Sequence, residues 1–188
     1  MAGDIPLGLA SLQREAARAR ALPPVEGWNP ALCGEIDIRI TRDGSWLHQG
    51  APIARKELVR LFSTILRKDP DGYFLVTPAE KLRITVDDAP FVAVLLAVEG
   101  GGQDGRLVFT TNVGDEIVAG SDNAIRVVSD PETQEPSPSL HVRRGLVARI
   151  SRAVFYQLAD LATPGTGEHR GQLGVWSDGV FFPLGAPE

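Results

Sequence analysis

Apolar and polar side chains alternate most strictly between Glu35 and Arg42, where Ile36, Ile38 and Ile40 face one way and Asp37, Arg39 and Thr41 the other. A period of two predicts a half-buried strand. Asp43-Gly44 follows at once as a hairpin turn, with Ser45 to His48 as the return strand. From Arg55 to Lys68 the period changes. Leu58, Val59, Leu61, Phe62, Ile65 and Leu66 share one arc at 100° per residue, with Lys56, Arg60, Ser63, Thr64 and Arg67 opposite, which predicts an amphipathic helix. Asp69-Pro70-Asp71-Gly72 stops it.

Tyr73 to Val76 and Lys81 to Val86 then read as two strands joined by the turn Thr77-Pro78-Ala79-Glu80. An acidic bend, Asp87-Asp88-Ala89-Pro90, leads into Phe91 to Val98, an unbroken apolar run of the kind expected of a strand covered on both faces. Glu99 to Gly105 is a turn, and Arg106 to Thr111 the partner strand. Short strands follow at Glu116 to Ala119, Ile125 to Val128 and Leu140 to Val142. Asp130 to Ser139, with three prolines and no aliphatic side chain, reads as an exposed loop. Val147, Ile150, Val154, Leu158 and Leu161 are spaced three and four apart and predict a second long helix. A Gly-rich loop, Thr163 to Gly171, precedes a last hairpin, Gln172 to Leu184, turning at Asp178-Gly179. At the other end, Leu9 to Leu22 predicts a short amphipathic helix, ended by Pro23-Pro24 and a linker holding Trp28.

Two segments echo each other: Asp43 to Pro52 and Asp178 to Pro187 share Asp, Gly, Gly, Ala and Pro at matching places. Each predicted long helix is also followed by a hairpin. The fold class expected is α+β, with two small related halves, each of antiparallel hairpins packed on one long helix. The boundaries are 1–33 for the N-terminal helix and linker, 34–88 for the first half and 89–188 for the second.

The 188 residues are 43% hydrophobic and 23% charged, and the net charge of -5 speaks against wholesale attraction to nucleic acid or anionic lipid. One cysteine, Cys33, excludes an intramolecular disulfide and a multi-cysteine zinc site. No apolar run approaches the roughly 20 residues of a membrane helix, and no signal-peptide pattern stands at the start, so a cytoplasmic location is expected.

Candidate chemistry is sparse. The glycine runs at 100–105 and 165–171 lack the context of a phosphate loop or dinucleotide fingerprint. His48, His141 and His169 have no second ligand at a metal-binding spacing, so neither metal nor cofactor is expected. Asp87 and Asp88, if extended, point to opposite faces and do not form one acid/base pair. Arg143, Arg144, Arg149 and Arg152 lie within twelve residues that hold no acid. With the predicted helix N-terminus they suggest an anion site.

LVTPAEKLRITVDDAPF (75–91), DGSWLHQGAPIARKELVRLFSTIL (43–66), TTNVGD (110–115) and RRGLVARISRAVFY (143–156) together resemble the bacterial family called domain of unknown function 1285. The resemblance covers about Gly34 to Leu184. It implies a duplicated α+β core whose C-terminal half is similar to a pleckstrin-homology-like barrel, and a signalling role with no attached enzyme activity. It further implies a site between the halves for a nucleotide-like ligand. Carried over by position, the site residues are Thr77, Glu80, Lys81, Asp87, Asp88, Arg143, Arg144 and Arg149. Two other functions compete: a protein–protein interaction module, marked by an exposed apolar patch, and a hydrolase using Asp87 or Asp88.

Overall fold

The computed structural model describes residues 22–129 and 135–185. The helix expected at Leu9 to Leu22 and part of the loop expected at Asp130 to Ser139 lie outside them. The chain divides into two units, Met1–Asp88 and Ala89–Glu188.

The first unit holds strands β1 (Leu32–Ile40), β2 (Trp46–His48), β3 (Ala51–Pro52), β4 (Leu66–Asp69), β5 (Gly72–Val76) and β6 (Lys81–Val86), with helix α1 (Lys56–Thr64) between β3 and β4. The strands form one six-stranded sheet in the order β3-β2-β1-β6-β5-β4. All neighbours are antiparallel except β1 and β6, the first and last, which run parallel. Ile38, Ile40, Phe74, Leu75 and Val76 are buried on the sheet, with Trp46, Leu61, Phe62 and Ile65.

The helix is shorter than its apolar arc promised. The Ser63 hydroxyl donates to the carbonyl of Arg60 and that of Thr64 to the carbonyl of Leu61, each at 2.7 Å. Such back-bonding bends and weakens a helix end. The Ile65 carbonyl then accepts from the Val76 amide at 3.0 Å, and the chain continues as β4. Ile65 and Leu66 thus lie beyond the helix, buried where the chain joins the sheet.

The second unit holds β7 (Phe91–Glu99), β8 (Arg106–Thr111), β9 (Glu116–Val118), β10 (Ile125–Ser129), β11 (Pro136–Arg143) and β12 (Leu146–Ile150), then α2 (Arg152–Asp160). Its sheet order is β10-β11-β12-β7-β8-β9, again with first and last strands parallel at the centre. Counted from its own first strand, each unit therefore reads 3-2-1-6-5-4. The duplication is of this six-stranded sheet, and the two halves are mostly sheet. They are not hairpins packed on a long helix.

That corrects the echo expected between Asp43 and Asp178. The first Asp-Gly turn joins β1 to β2, whereas the second joins β14 (Leu173–Ser177) to β15 (Val180–Pro183) in a separate three-stranded sheet with β13 (Thr163–Pro164). The two helices are not equivalent either, since α1 precedes strand four of its unit and α2 follows strand six.

Three further expectations change in the second unit. Leu146 to Ile150 is a strand, with Leu146, Ala148 and Ile150 buried and Val147 and Arg149 half-buried, and the helix starts only after Ser151, whose hydroxyl accepts from the Val154 amide as an N-cap. Pro136 to Ser139 extends β11 instead of lying in a loop. Pro136 and Pro138 pair with β10 alone, because the ladder to β12 begins at Ser139, so their missing N–H groups leave no inner ladder short of a donor. Finally, β7 is not covered along its length. Phe91, Val92 and Ala93 are buried beside β12, but Val94, Leu95 and Val98 are exposed where that neighbour has ended.

The small third sheet is fastened to the larger one. The buried Ser177 hydroxyl accepts from the Leu107 amide at 2.9 Å and donates to the Ala119 carbonyl at 2.7 Å. The amides of Asp178 and Gly179 donate to the carbonyls of Gly105 and Gln103. Gly174 is obligatory there, as a Cβ would lie 2.3 Å from the Phe182 carbonyl oxygen.

Candidate functional site

In the first unit the expected site residues fall into two groups. Thr77 is buried, and its hydroxyl accepts from the amides of Ala79 (3.2 Å) and Glu80 (2.9 Å), while its own amide donates to the Glu80 carbonyl at 2.8 Å. The hydroxyl therefore closes the β5–β6 turn. Glu80 is half-buried, and its Oε2 has no hydrogen-bond partner among the described residues. Lys81 places Nζ 2.6 Å from Asp69 and 4.0 Å from the centre of the buried Phe74 ring.

Asp69 is the hub of that end. Arg67 grips it through Nε (2.8 Å) and Nη2 (2.9 Å), and Nη1 donates to the carbonyls of Val25 and Trp28. Burial alone pushes the Asp69 carboxyl up, but hydrogen bonds and charge from Arg67 and Lys81 outweigh it and hold the group below the usual carboxylate range. These charges tie the linker around Val25 and Trp28 to β4.

Asp87 and Asp88 stand at the other end of β6, six residues and so roughly 20 Å from Lys81. Asp87 accepts from Arg39 Nε at 2.8 Å, and Asp88 lies 3.6 Å from Arg42 Nε. Within this unit, then, the expected residues do not converge.

In the second unit they lie along one hairpin, with Arg144 at its turn five residues, and so roughly 16 Å, from Arg149. Arg143 and Arg144 belong to the β11–β12 hairpin, where Arg144 and Gly145 both have positive φ (50° and 73°), the pattern of a type I′ turn. Arg143 donates through Nη1 to Asp115 at 2.6 Å, its guanidinium 5.1 Å from the centre of the buried Phe91 ring. Arg149 sits on strand β12 and not at a helix N-terminus, which corrects the electrostatic basis expected for an anion site. The strand supplies a different one. Arg149 is in register with Ser139 of β11, and Ser139 with Arg126 of β10. Cross-strand partners share a face, so Arg126 and Arg149 leave the sheet on either side of Ser139 in one row. Arg126 is exposed and Arg149 half-buried.

Arg126 and Ser139 were not among the expected residues. The alternation of Ile125-Arg126-Val127 already set Arg126 apart from Ile125, but only strand pairing reveals its row. Ser139 was hidden among prolines. His141, two residues along β11 from Ser139, places Nδ1 2.7 Å from the Asp122 carbonyl oxygen, and its Nε2 accepts from the Gly145 amide at 3.3 Å. Among the described residues no three His, Cys, Asp or Glu side chains gather as metal ligands, and no helix is long and apolar enough to cross a membrane.

Comparison with known families places this geometry. The N-terminal domain model of the domain of unknown function DUF1285 matches residues 23–89, and the C-terminal domain model of the same family matches residues 90–184. The chain belongs to the DUF1285 family. A DUF1285 family protein from Silicibacter pomeroyi DSS-3, solved by crystallography, is 51% identical over 94% of each chain, with a TM-score of 0.82. A second crystal structure, of a DUF1285 family protein from Shewanella baltica OS155, is 26% identical over 66% of this chain and 91% of that one, with a TM-score of 0.53. No curated protein matches the chain. Both domains of DUF1285 are thus present in order, and the arginine row lies wholly within the C-terminal one.

Proposed function

We propose that this DUF1285 protein is a cytoplasmic regulatory protein that binds a nucleotide-like anionic ligand and acts in signalling. The observation that carries the proposal is the Arg126–Ser139–Arg149 row, with Arg144 in the adjoining turn. Guanidinium groups recognise phosphate through paired, charge-assisted hydrogen bonds, and the Ser139 hydroxyl between them donates to the Arg126 carbonyl at 3.4 Å. On this view the C-terminal unit, whose six-stranded sheet is followed by one helix and a small third sheet, serves as a pleckstrin-homology-like module. The test is calorimetric titration with nucleotides and with inorganic pyrophosphate. Saturable binding that weakens with salt and drops at least about tenfold in both Arg126→Ala and Arg149→Ala supports the proposal. No binding by any of these compounds, or binding unchanged in both variants, overturns it.

A second function is favoured by a separate observation. Val94, Leu95 and Val98 are exposed on one strand, and exposed large apolar side chains can serve protein interaction sites. If the protein is an interaction module, Leu95→Glu abolishes its association with a protein partner while leaving nucleotide titrations unchanged. Equal association by the Leu95→Glu variant removes this second function.

A further inference from the structure

The His141 ring is held from both sides by backbone. Nδ1 lies 2.7 Å from the Asp122 carbonyl oxygen, which only accepts, so Nδ1 carries the proton. Nε2 receives the Gly145 amide N–H at 3.3 Å, and an imidazole nitrogen accepts only when unprotonated. Both contacts therefore require the neutral ring in one tautomer. The strand around the ring is fixed independently. The His141 amide donates to the Ala124 carbonyl at 3.0 Å, and the Asn123 side-chain amide donates to the carbonyls of His141 and Val142, each at 2.9 Å. Loss of the ring's second bond would leave β11 in place and act on the turn.

We propose that His141 is a pH-sensitive latch: neutral, it holds the Arg144-Gly145 turn against the 119–124 loop; protonated, it releases that turn. Protonation converts Nε2 from acceptor to donor and sets it against the Gly145 N–H, so the bond is replaced by a clash of two donors. Histidine is the side chain whose ordinary titration falls between roughly pH 5 and 8, where such a change is useful. The charged residues on the elements that adjoin His141 are Asp122 on the loop, Arg143 and Arg144 at the turn, Arg149 on β12 and Arg126 on β10; Arg143 is paired with Asp115. Taken as regulation of the anion site, the latch rests on that proposal. The released turn carries Arg144 with it.

The test uses the full chain labelled with nitrogen-15. Long-range proton–nitrogen correlation spectra at about pH 7.5 report the tautomer of His141, and exchange of the Gly145 amide is followed down to about pH 5.5. The expected result is the Nδ1–H tautomer, with Gly145 exchange accelerating about tenfold beyond its intrinsic pH dependence as His141 protonates. Replacement His141→Gln, whose side-chain oxygen accepts at a similar reach and does not titrate, should keep the amide protected at both pH values. The Nε2–H tautomer, or Gly145 protection unchanged while His141 protonates, overturns the latch. Repeating the titration with pyrophosphate separates the two proposals. If Gly145 follows His141 protonation while pyrophosphate shows no calorimetric binding, the latch stands and the anion site falls; if pyrophosphate binds without moving Gly145, both stand and their coupling falls.

Discussion

The two units repeat one strand order and place their charges differently. In the first, cations are spent on acids of the same unit: Arg67 and Lys81 on Asp69, Arg83 on Asp71, Arg39 on Asp87. Those pairs fasten the linker, a turn and a strand end. In the second, Arg106 pairs with Glu99 and Arg143 with Asp115, while Arg126 and Arg149 share a sheet face across a serine. A duplicated backbone can thus keep its ladder while its two copies place their charged side chains differently.

The likeness of the two sheets as hydrophobic bodies can be broken most forcefully in their cores. Phe74 and Phe109 are both fully buried. Phe74→Ala and Phe109→Ala should each cost about 3–5 kcal/mol of unfolding free energy in urea titrations. A cost near zero for either would mean that its sheet is not held by that ring. Next in size is the attachment found only in the second unit. Ser177→Ala strands a buried amide and a buried carbonyl, and should lower stability by about 1–3 kcal/mol. Ser177→Val should do no better, because it supplies shape without hydrogen bonds.

The contrast in charge use is sharpened by pH. Asp69 is depressed in the folded state, so its stabilising contribution is present above its unfolded value of about 4 and is lost as pH falls through its folded value. Asp69→Asn should lower the urea midpoint near neutral pH and flatten the decline at acid pH. A variant that parallels the parent across the whole range would show that Asp69 contributes no such linkage. The smallest effect should come from the exposed Arg126. Arg126→Ala should change stability by no more than about 0.5 kcal/mol while weakening pyrophosphate binding, the reverse of the Asp69 result.

Much of the strand pattern was legible where one face is wet and the other buried. The alternation of Ile36, Ile38 and Ile40, the hairpin of Tyr73 to Val86, the pair around Glu99 to Gly105 and the Asp178-Gly179 turn all match strands or turns of the structure. Val147 and Ile150 misled because three-and-four spacing with Val154 and Leu158 imitates a helical seam, while Leu146, Ala148 and Ile150 alternate in a strand of only five residues. The central parallel pairings join residues more than forty positions apart, and no local pattern encodes them. Of the candidate site, Arg143, Arg144 and Arg149 are a cluster in sequence, whereas Arg126 and Ser139 join Arg149 only through strand register.

That register has a consequence for how the protein is made. In each unit the first strand waits for the sixth: Ile40 pairs with Val86, and Phe91 with Ala148. During synthesis the leading three-strand meander leaves the ribosome with one long edge unsatisfied, and the sheet is completed only when its last strand emerges. Long-range closure of this kind is slow, so the unjoined meanders are the species most exposed to mispairing. Chaperone dependence should concentrate in the intervals between Ile40 and Val86 and between Phe91 and Ile150.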